Sequence, residues 1–252
     1  MKAIKNIIYL IFFTSTTYSC KKTTTAPGTA AFTIVNAVVG SPNLITNFQG
    51  YVGNKTTDSL TYYNSALSIG YAGFTEISSY SGKFPLSLVS VNDTFDWIWN
   101  GSLNLSINNV YSLFLSGTDT LHVDTLFTTD VLLYHSASDS SIGIRFVNLS
   151  AGSLQVSVDI KDTSANGIEI VSSLSYQGIN NFTNYPATSS VSKYVFEFRD
   201  IATNTVLATY TMNGVNNGSG SNTSNNIYRY RNFTIALIGL PGAQNTMLIN
   251  NY

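Results

Sequence analysis

The sequence predicts an all-β protein with two tandem immunoglobulin-like antiparallel β-sandwich domains that follow a lipoprotein signal peptide. Three observations support this prediction: an apolar leader that ends at the only cysteine, short alternating apolar and polar runs separated by turn sequences, and a segment that recurs in the second half of the chain. Several short strands in each half of the chain are typical of sandwich folds.

Residues 1–19 are predicted to be the signal peptide. Two lysines precede the apolar run Ile7–Phe13, and the polar, mostly small residues of Thr14–Ser19 lead to Cys20. The run is shorter than the roughly 20 apolar residues that cross a bilayer. We therefore expect cleavage before Cys20 and acylation of its thiol and its new amine. An ordinary secretory leader with a coincidental cysteine is the alternative.

The lipid would anchor the protein in the cell envelope. The sequence Thr17-Tyr18-Ser19 before the cysteine resembles the looser lipoboxes of Gram-negative lipoproteins. Lys21 and Lys22 are not followed by the acidic pair associated with surface export in some lineages. We expect the outer membrane, with its periplasmic and surface faces both open. The membrane is then the first expected partner.

Composition limits the other partners. Cleavage removes two of the 12 basic residues and leaves 13 acidic ones, so the mature chain has a net charge of −3. Nucleic acid is therefore not an expected partner. Hydrophobic residues make up 44% of the chain and charged residues only 10%, which is enough apolar material for a core. With Cys20 acylated, no disulfide is expected.

An internal repeat divides the chain. Val35–Ser41 aligns without a gap with Val147–Ser153 at an offset of 112, and four of the seven positions are identical. Tyr111–Gly117 resembles Phe233–Gly239 at an offset of 122. The increase in offset indicates longer loops in the second copy.

The repeat and the composition set the predicted boundaries. Residues 20–30 form the lipidated cysteine and a flexible tether, 31–137 the first sandwich domain and 138–252 the second. The polar segment Ser136–Ser141 is the predicted linker. Asn213–Asn226 is uncharged and of low complexity, so we expect a mobile loop there.

Two segments show strand periodicity clearly. Leu154–Lys161 alternates without exception and predicts an inward face that begins at Leu154. Tyr194–Arg199 repeats the pattern, with aromatic residues inward and Glu197 and Arg199 toward water. The turn sequences that separate such runs include Ser81-Gly82, Asn100-Gly101 and Asn213-Gly214.

The two copies resemble a known family. Phe32–Asn36 and Ile144–Asn148, followed in copy two by the alternating strand Val156–Ile160, resemble the start of a bacterial extracytoplasmic domain of unknown function, DUF-four-three-nine-seven. Tyr111–Gly117 and Phe233–Gly239 look like its closing strand. Copy one departs from the pattern at Ile45 and Asn47. The resemblance implies a tandem β-sandwich lipoprotein of the envelope with no established catalytic activity.

Residues suited to catalysis or metal binding are few. The chain has two histidines, His122 and His135, no cysteine available as a nucleophile, and no Gly-x-Ser-x-Gly sequence. Asp119, His122 and Asp124 are close in sequence, but only the last two are spaced for one face of a strand. We expect no enzyme activity, no metal and no cofactor, although a Ser-His-Asp arrangement stays open.

The clearest candidate binding site is an aromatic segment. Alternation places Phe95, Trp97 and Trp99 on one strand face. If that face is outward, the rings form a platform for sugars, with Asp96, Asn92 or Asn100 nearby to bond hydroxyl groups. If it is inward, the rings belong to the sandwich core.

Two functions follow from these patterns. The first is a non-enzymatic envelope lipoprotein that acts as a structural or protein-interaction module for an envelope protein. The alternative is a glycan-binding accessory lipoprotein that uses the aromatic platform.

Overall fold

The computed structural model describes residues 28–48, 68–93, 97–136, 138–161, 167–218 and 224–251. The predicted signal peptide, most of the predicted tether and part of the predicted loop Asn213–Asn226 lie outside these residues. The described residues form strands, turns and irregular segments and no helix, so the all-β prediction is confirmed. The strands are β1 (Thr29–Val38), β2 (Leu44–Asn47), β3 (Gly73–Tyr80), β4 (Gly82–Ser90), β5 (Trp97–Leu105), β6 (Val110–Asp119), β7 (His122–Asp130), β8 (Ser141–Asn148), β9 (Val156–Lys161), β10 (Ile168–Leu174), β11 (Thr183–Pro186), β12 (Lys193–Asp200), β13 (Val206–Asn213), β14 (Asn232–Ile238) and β15 (Asn245–Asn251).

The strands form four sheets, and none of these sheets mixes strands from the two halves of the chain. The N-terminal half contains β3-β1-β6-β7 and β2-β4-β5, and the C-terminal half contains β11-β8-β14-β15 and β10-β9-β12-β13. Neighbouring strands are antiparallel except in the pairs β1–β6 and β8–β14, which are parallel. The prediction of antiparallel sandwiches did not include these two parallel pairs. The immunoglobulin-like strand order and the domain boundaries stay predictions.

The internal repeat corresponds to equivalent strands. β1 and β8 begin 112 residues apart, and so do β2 and β9, which is the smaller offset of the repeat. β6 and β14 begin 122 residues apart, which is the larger offset. The parallel pairs also share their register, since Ile34 lies opposite Leu113 and its equivalent Phe146 lies opposite Ile235. The two offsets found in the sequence are thus the offsets between matching strands.

Asn36 explains why part of the repeated sequence is identical. Its buried side chain donates from Nδ2 to Ser41 Oγ at 3.1 Å and to the Ile69 carbonyl at 3.3 Å. The Val38 N–H donates to its Oδ1 at 3.2 Å. Gly40 has a φ of +72°, a conformation that costs glycine little. One asparagine therefore holds the loop between β1 and β2 against the segment before β3.

Asn148 makes the same contacts in the second half. Its Nδ2 donates to Ser153 Oγ at 2.9 Å and to the Leu174 carbonyl at 3.3 Å, and the Ser150 N–H donates to its Oδ1 at 3.1 Å. Gly152 has a φ of +80°. Three of the four identical residues in each copy, the asparagine, the glycine and the serine, are thus accounted for by one loop structure.

The strands β9 and β12 partly match the predicted faces. The aromatic side chains of β12 face the core as predicted. Leu154 does not, because it precedes β9 and is 70% exposed. Glu197 is buried instead of facing water, since it pairs with Lys161 Nζ at 2.6 Å and with Arg199. The alternating pattern identified the strand but not the ion pairs on its outer side.

One of the three predicted turns is confirmed, since Ser81-Gly82 separates β3 from β4. Asn213-Gly214 ends β13 but does not form a tight hairpin, because the next described strand, β14, begins at Asn232. Asn100-Gly101 does not form a hairpin turn, because both residues lie inside β5. The predicted linker begins within an irregular segment, yet Leu133 there exchanges hydrogen bonds with the side chain of Asn232 at 3.2 and 3.0 Å.

The two halves pack through the sheets β3-β1-β6-β7 and β11-β8-β14-β15. Each of these sheets also covers an apolar core on its other side, shared with the second sheet of its own half. The contact between the halves is a third apolar cluster, formed by Val35, Ala37, Phe114, Val147, Leu149, Ala236, Ile238, Met247 and Ile249.

A buried polar network lies beside this apolar cluster. Arg145 donates from Nη1 to Asp130 Oδ1 at 2.7 Å, from Nη2 to Ser112 Oγ at 3.0 Å and from Nε to Thr234 Oγ1 at 2.8 Å. Ser112 donates to Asp130 Oδ2 and Thr234 donates to Asn251 Oδ1, both at 2.6 Å. Burial lowers the pKa of Arg145, while the charge and hydrogen bonding of Asp130 raise it. The guanidinium thus connects the two halves.

Candidate functional site

The predicted site residues fall into two groups. Cys20, Phe95 and Asp96 lie outside the described residues. Trp97 and Trp99 lie at the start of β5, an edge strand of the sheet β2-β4-β5. The structure therefore tests the aromatic segment only through its two tryptophans.

The prediction that Trp97 and Trp99 share one face is wrong. Trp99 pairs with Leu88 and Trp97 pairs with the next residue, Val89, so Ile98 is the extra residue of a β-bulge. Trp97 is 51% exposed, whereas Ile98 is 5% exposed and belongs to the core. Alternation fails here because the bulge shifts the register by one residue.

Trp99 packs against the core of the N-terminal half. Its ring lies over Gly101, where a Cβ atom would be 2.5 Å from Trp99 Cζ2. Only glycine leaves room for the ring at this distance. The Asn-Gly pair that resembles a turn sequence is thus explained by packing.

Trp97 heads a row of uncharged polar residues on the exposed face of β5. Trp97, Asn100, Ser102 and Asn104 are all exposed, and they pair in order with Val89, Ser87, Pro85 and Lys83 of β4. Because these β4 residues alternate, the four β5 side chains share one face. Ser87 Oγ donates to Asn100 Oδ1 at 3.0 Å and orients that amide.

The arrangement has a definite chemical capacity. An exposed indole can pack against the C–H face of a sugar ring, and amide and hydroxyl groups can bond its hydroxyls. The sequence indicated Asn100 for this role. Ser102 and Asn104 were missed, although the alternation Asn100-x-Ser102-x-Asn104 was present.

His135 is the histidine whose surroundings come nearest to those of a catalytic base. Its buried Nδ1 lies 3.0 Å from Ser141 Oγ and 3.4 Å from Asp139 Oδ2. A Ser-His-Asp triad uses one ring nitrogen for the serine and the other for the carboxylate. Here both neighbours contact Nδ1, and Nε2 is buried with no hydrogen-bond partner among the described residues. The contacts fit a structural role in the segment between the halves.

His122 lies on the surface with Asp119. Its Nδ1 is 2.9 Å from Asp119 Oδ1, and hydrogen bonds from His122 and the Leu121 N–H lower the pKa of that carboxyl. The spacing in the sequence had instead predicted that His122 shares a strand face with Asp124. Asp124 accepts a hydrogen bond from the hydroxyl of Tyr176 in the other half at 3.0 Å. Within the described residues, no group of three or more His, Cys, Asp or Glu side chains is arranged to hold a metal ion.

The part of the chain that the structure describes has no helix long and apolar enough to cross a membrane.

Comparisons with known proteins give no family. No protein-family model and no curated protein matches the chain. Similar solved structures of low identity include three proteins. The TIE protein of Bacillus anthracis is 9% identical with a TM-score of 0.23, and the match covers 89% of this chain and 35% of that one. This chain thus spans about a third of that structure.

The other two structures concern alpha-glucan binding and a complex with maltoheptaose. A streptococcal virulence factor that binds alpha-glucan is 8% identical with a TM-score of 0.26 over 86% of this chain and 96% of that one. The CBM26 module CBMbc of Eubacterium rectale Amy13K, in complex with maltoheptaose, is 8% identical with a TM-score of 0.25 over 89% and 97%. With TM-scores this low, these matches carry no conclusion about this chain.

Proposed function

We propose that this chain is a non-enzymatic envelope lipoprotein that binds glycans through the exposed face of β5. The observation that carries the proposal is the half-exposed Trp97 in line with Asn100, Ser102 and Asn104. A large, half-exposed indole lies at the surface beside the β-bulge, and the three β5 residues in line with it are uncharged. A neutral glycan is the ligand class that needs both features.

The proposal includes an anchor at Cys20. It is supported by the apolar run and the small polar residues before the cysteine. Intact-mass analysis of the protein from native membranes should show a chain that begins at Cys20 with added acyl groups. A C20S variant should leave the membrane fraction. Retention of that variant in membranes would contradict acylation as the anchor.

The absence of catalysis is also part of the proposal. It is supported by the contacts of His135, which place serine and carboxylate on one ring nitrogen. An H135Q variant should bind the same glycans with the same affinity, because His135 lies in the segment between β7 and β8 and not on the β5 face. Turnover of any bound glycan would contradict this part.

The glycan proposal is tested on residues 20–252 with C20S, screened on a glycan array. Trp97→Ala should abolish binding, because the stacking surface is removed, while circular dichroism should show an intact fold. Tyr134→Ala is the matched control, since Tyr134 is an exposed aromatic residue in another part of the surface. Equal binding by both variants, or no binding by the parent, would contradict the proposal and favour a protein-interaction module.

A further inference from the structure

The N-terminal half contains a cleft that the β5 face does not explain. The cleft has a volume of about 360 Å³, at the lower end of the range for small-molecule sites. It opens at the edge strand β3, beside the residue that follows β2. The described residues that line it are Thr29, Phe48, Ile77, Ser78, Ser79 and Tyr80.

The second copy of the repeat shows why the cleft is open. Ser79 pairs with Ala30, and Tyr185 pairs with Ile142. Ala30 and Ile142 are equivalent positions of β1 and β8, so Tyr185 occupies the position in the second half that Ser79 occupies in the first. A serine in one half therefore replaces an aromatic ring in the other.

The Tyr185 ring packs into the core of the C-terminal half. It makes edge contacts with Tyr194 at 5.8 Å and with Phe196 at 5.7 Å between ring centroids. Burial raises the pKa of Tyr185 to about 12, and the neighbouring Tyr194 adds to the shift. At the equivalent place in the first half, Ser79 has no ring, and the space it leaves contributes to the cleft.

The lining has the chemistry of a site for a neutral, hydroxyl-rich ligand. Phe48 packs edge-on against Phe32 at 6.1 Å and Phe84 at 5.8 Å, so its ring is held in place. Tyr80 is 63% exposed at the rim. Ser79 shares the core face with Ile77, whereas Thr29 and Ser78 line the cleft from the other face of the strand pair. None of the described lining residues is charged. Aromatic rings beside hydroxyls, without charge, suit a sugar ring better than an ion or an alkyl chain.

We infer that this cleft binds one or two residues of a neutral carbohydrate, as a site separate from the Trp97 face. The inference rests on the proposed glycan-binding function for its ligand class. The ligand is either a free short sugar or the end of a longer glycan. The Ser79 position would make the two halves functionally unequal, with the ligand site in the first half only.

The experiment follows chemical shifts of ¹⁵N-labelled residues 20–252 with C20S during titration with maltose, cellobiose and lactose. At least one disaccharide should shift the amide signals of Ser78, Ser79 and Tyr80. Ser79→Tyr should weaken that binding by about tenfold or more, because it places in the cleft the ring that the second half has there. Ser173→Tyr is the control, since Ser173 is exposed on β10.

Further variants separate this site from the β5 face. Trp97→Ala should leave the disaccharide shifts at β3 unchanged, and Ser79→Tyr should leave array binding through β5 unchanged. Tyr80→Ala removes an exposed ring without filling the core and should also weaken the disaccharide, so the test does not depend on the folding of one variant. Titration with a polysaccharide built from the same sugar shows whether the cleft binds the end of a longer glycan or only a free short sugar. Unshifted β3 signals, or equal affinity in Ser79→Tyr and Ser173→Tyr, would overturn the inference.

Discussion

A buried asparagine fixes the same loop in each half because its side chain can donate and accept at once. Asn36 accepts from one backbone N–H and donates to a serine and a carbonyl, and Asn148 does the same. Alanine would remove the side-chain acceptor of a buried backbone N–H in each half, although the Ile69 carbonyl keeps the hydrogen bond it accepts from the Leu44 N–H. The free-energy cost of leaving a buried polar group without a hydrogen-bond partner exceeds the net stabilisation that the hydrogen bond provides.

Substitution of either asparagine should therefore destabilise the protein. We expect Asn36→Ala and Asn148→Ala each to lower the free energy of unfolding by about 1–3 kcal/mol in urea titrations. Asn104→Ala, at an exposed position of β5, should change it by less than about 0.5 kcal/mol. Similar values for all three variants would show that the loop contacts contribute little.

Glu197 gives the stability a dependence on pH. Burial alone would raise the pKa of its carboxyl, but hydrogen bonds and charge from Lys161 and Arg199 outweigh burial and lower the pKa below 4.5. As the pH falls, the unfolded chain therefore takes up the proton first. The stabilisation by these ion pairs is present above the unfolded pKa and is lost as the pH falls through the lower, folded value.

The free energy of unfolding, measured from about pH 6 to pH 3, should therefore fall less steeply in Glu197→Gln than in the parent. The parent should be the more stable of the two at neutral pH. Glu169→Gln, at an exposed position of β10, should keep the steepness of the parent. A parallel pair of curves for the parent and Glu197→Gln would contradict the role of the ion pairs.

At the scale of elements, β5 shows what a strand sequence can and cannot reveal. The alternation in the aromatic segment correctly indicated a strand that includes Trp97 and Trp99. It gave the wrong faces because a bulge depends on the partner strand: Leu88 and Val89 are consecutive, while their partners, Trp99 and Trp97, are not. The sequence of β5 alone contains no information about that register.

The bulge predicts different roles for the two tryptophans. Trp99→Ala should lower the free energy of unfolding by about 2–4 kcal/mol, because it removes a ring packed on the core. Trp97→Ala should change it by less than about 0.5 kcal/mol. In single-tryptophan variants, the emission of Trp97 should be redder and more readily quenched by acrylamide than that of Trp99. Equal quenching of the two would contradict the bulge.

At the scale of the whole molecule, the repeat was predictable and the contact between the halves was not. Identical residues in one loop were enough to align β1 with β8 and β2 with β9. The identical pair Val35 and Val147 belongs to the apolar part of that contact, whereas its polar part depends on positions where the copies differ. Arg145 stands where the first half has Thr33, and Asn251 stands where it has Asp130, as their registers show. An internal comparison looks for similarity and therefore passes over such residues.

Two residues that differ between the copies, Arg145 and Asp130, form the ion pair that links the halves. Substituting each residue alone and then both together tests its contribution. Arg145→Thr alone should cost about 3–5 kcal/mol, because the buried Asp130 carboxylate loses its counter-charge. Asp130→Asn keeps an oxygen for the Ser112 hydroxyl, as Asn251 does for Thr234, but leaves the guanidinium unpaired.

The double variant gives each half the residue of the other and leaves neither charge buried. We expect it to be less destabilised than the sum of the single variants by about 2 kcal/mol or more in urea titrations. A second transition in Arg145→Thr would show that the halves unfold separately once the pair is broken. Additive costs with one shared transition would mean that the apolar contact alone, through Phe114 and its neighbours, holds the halves together.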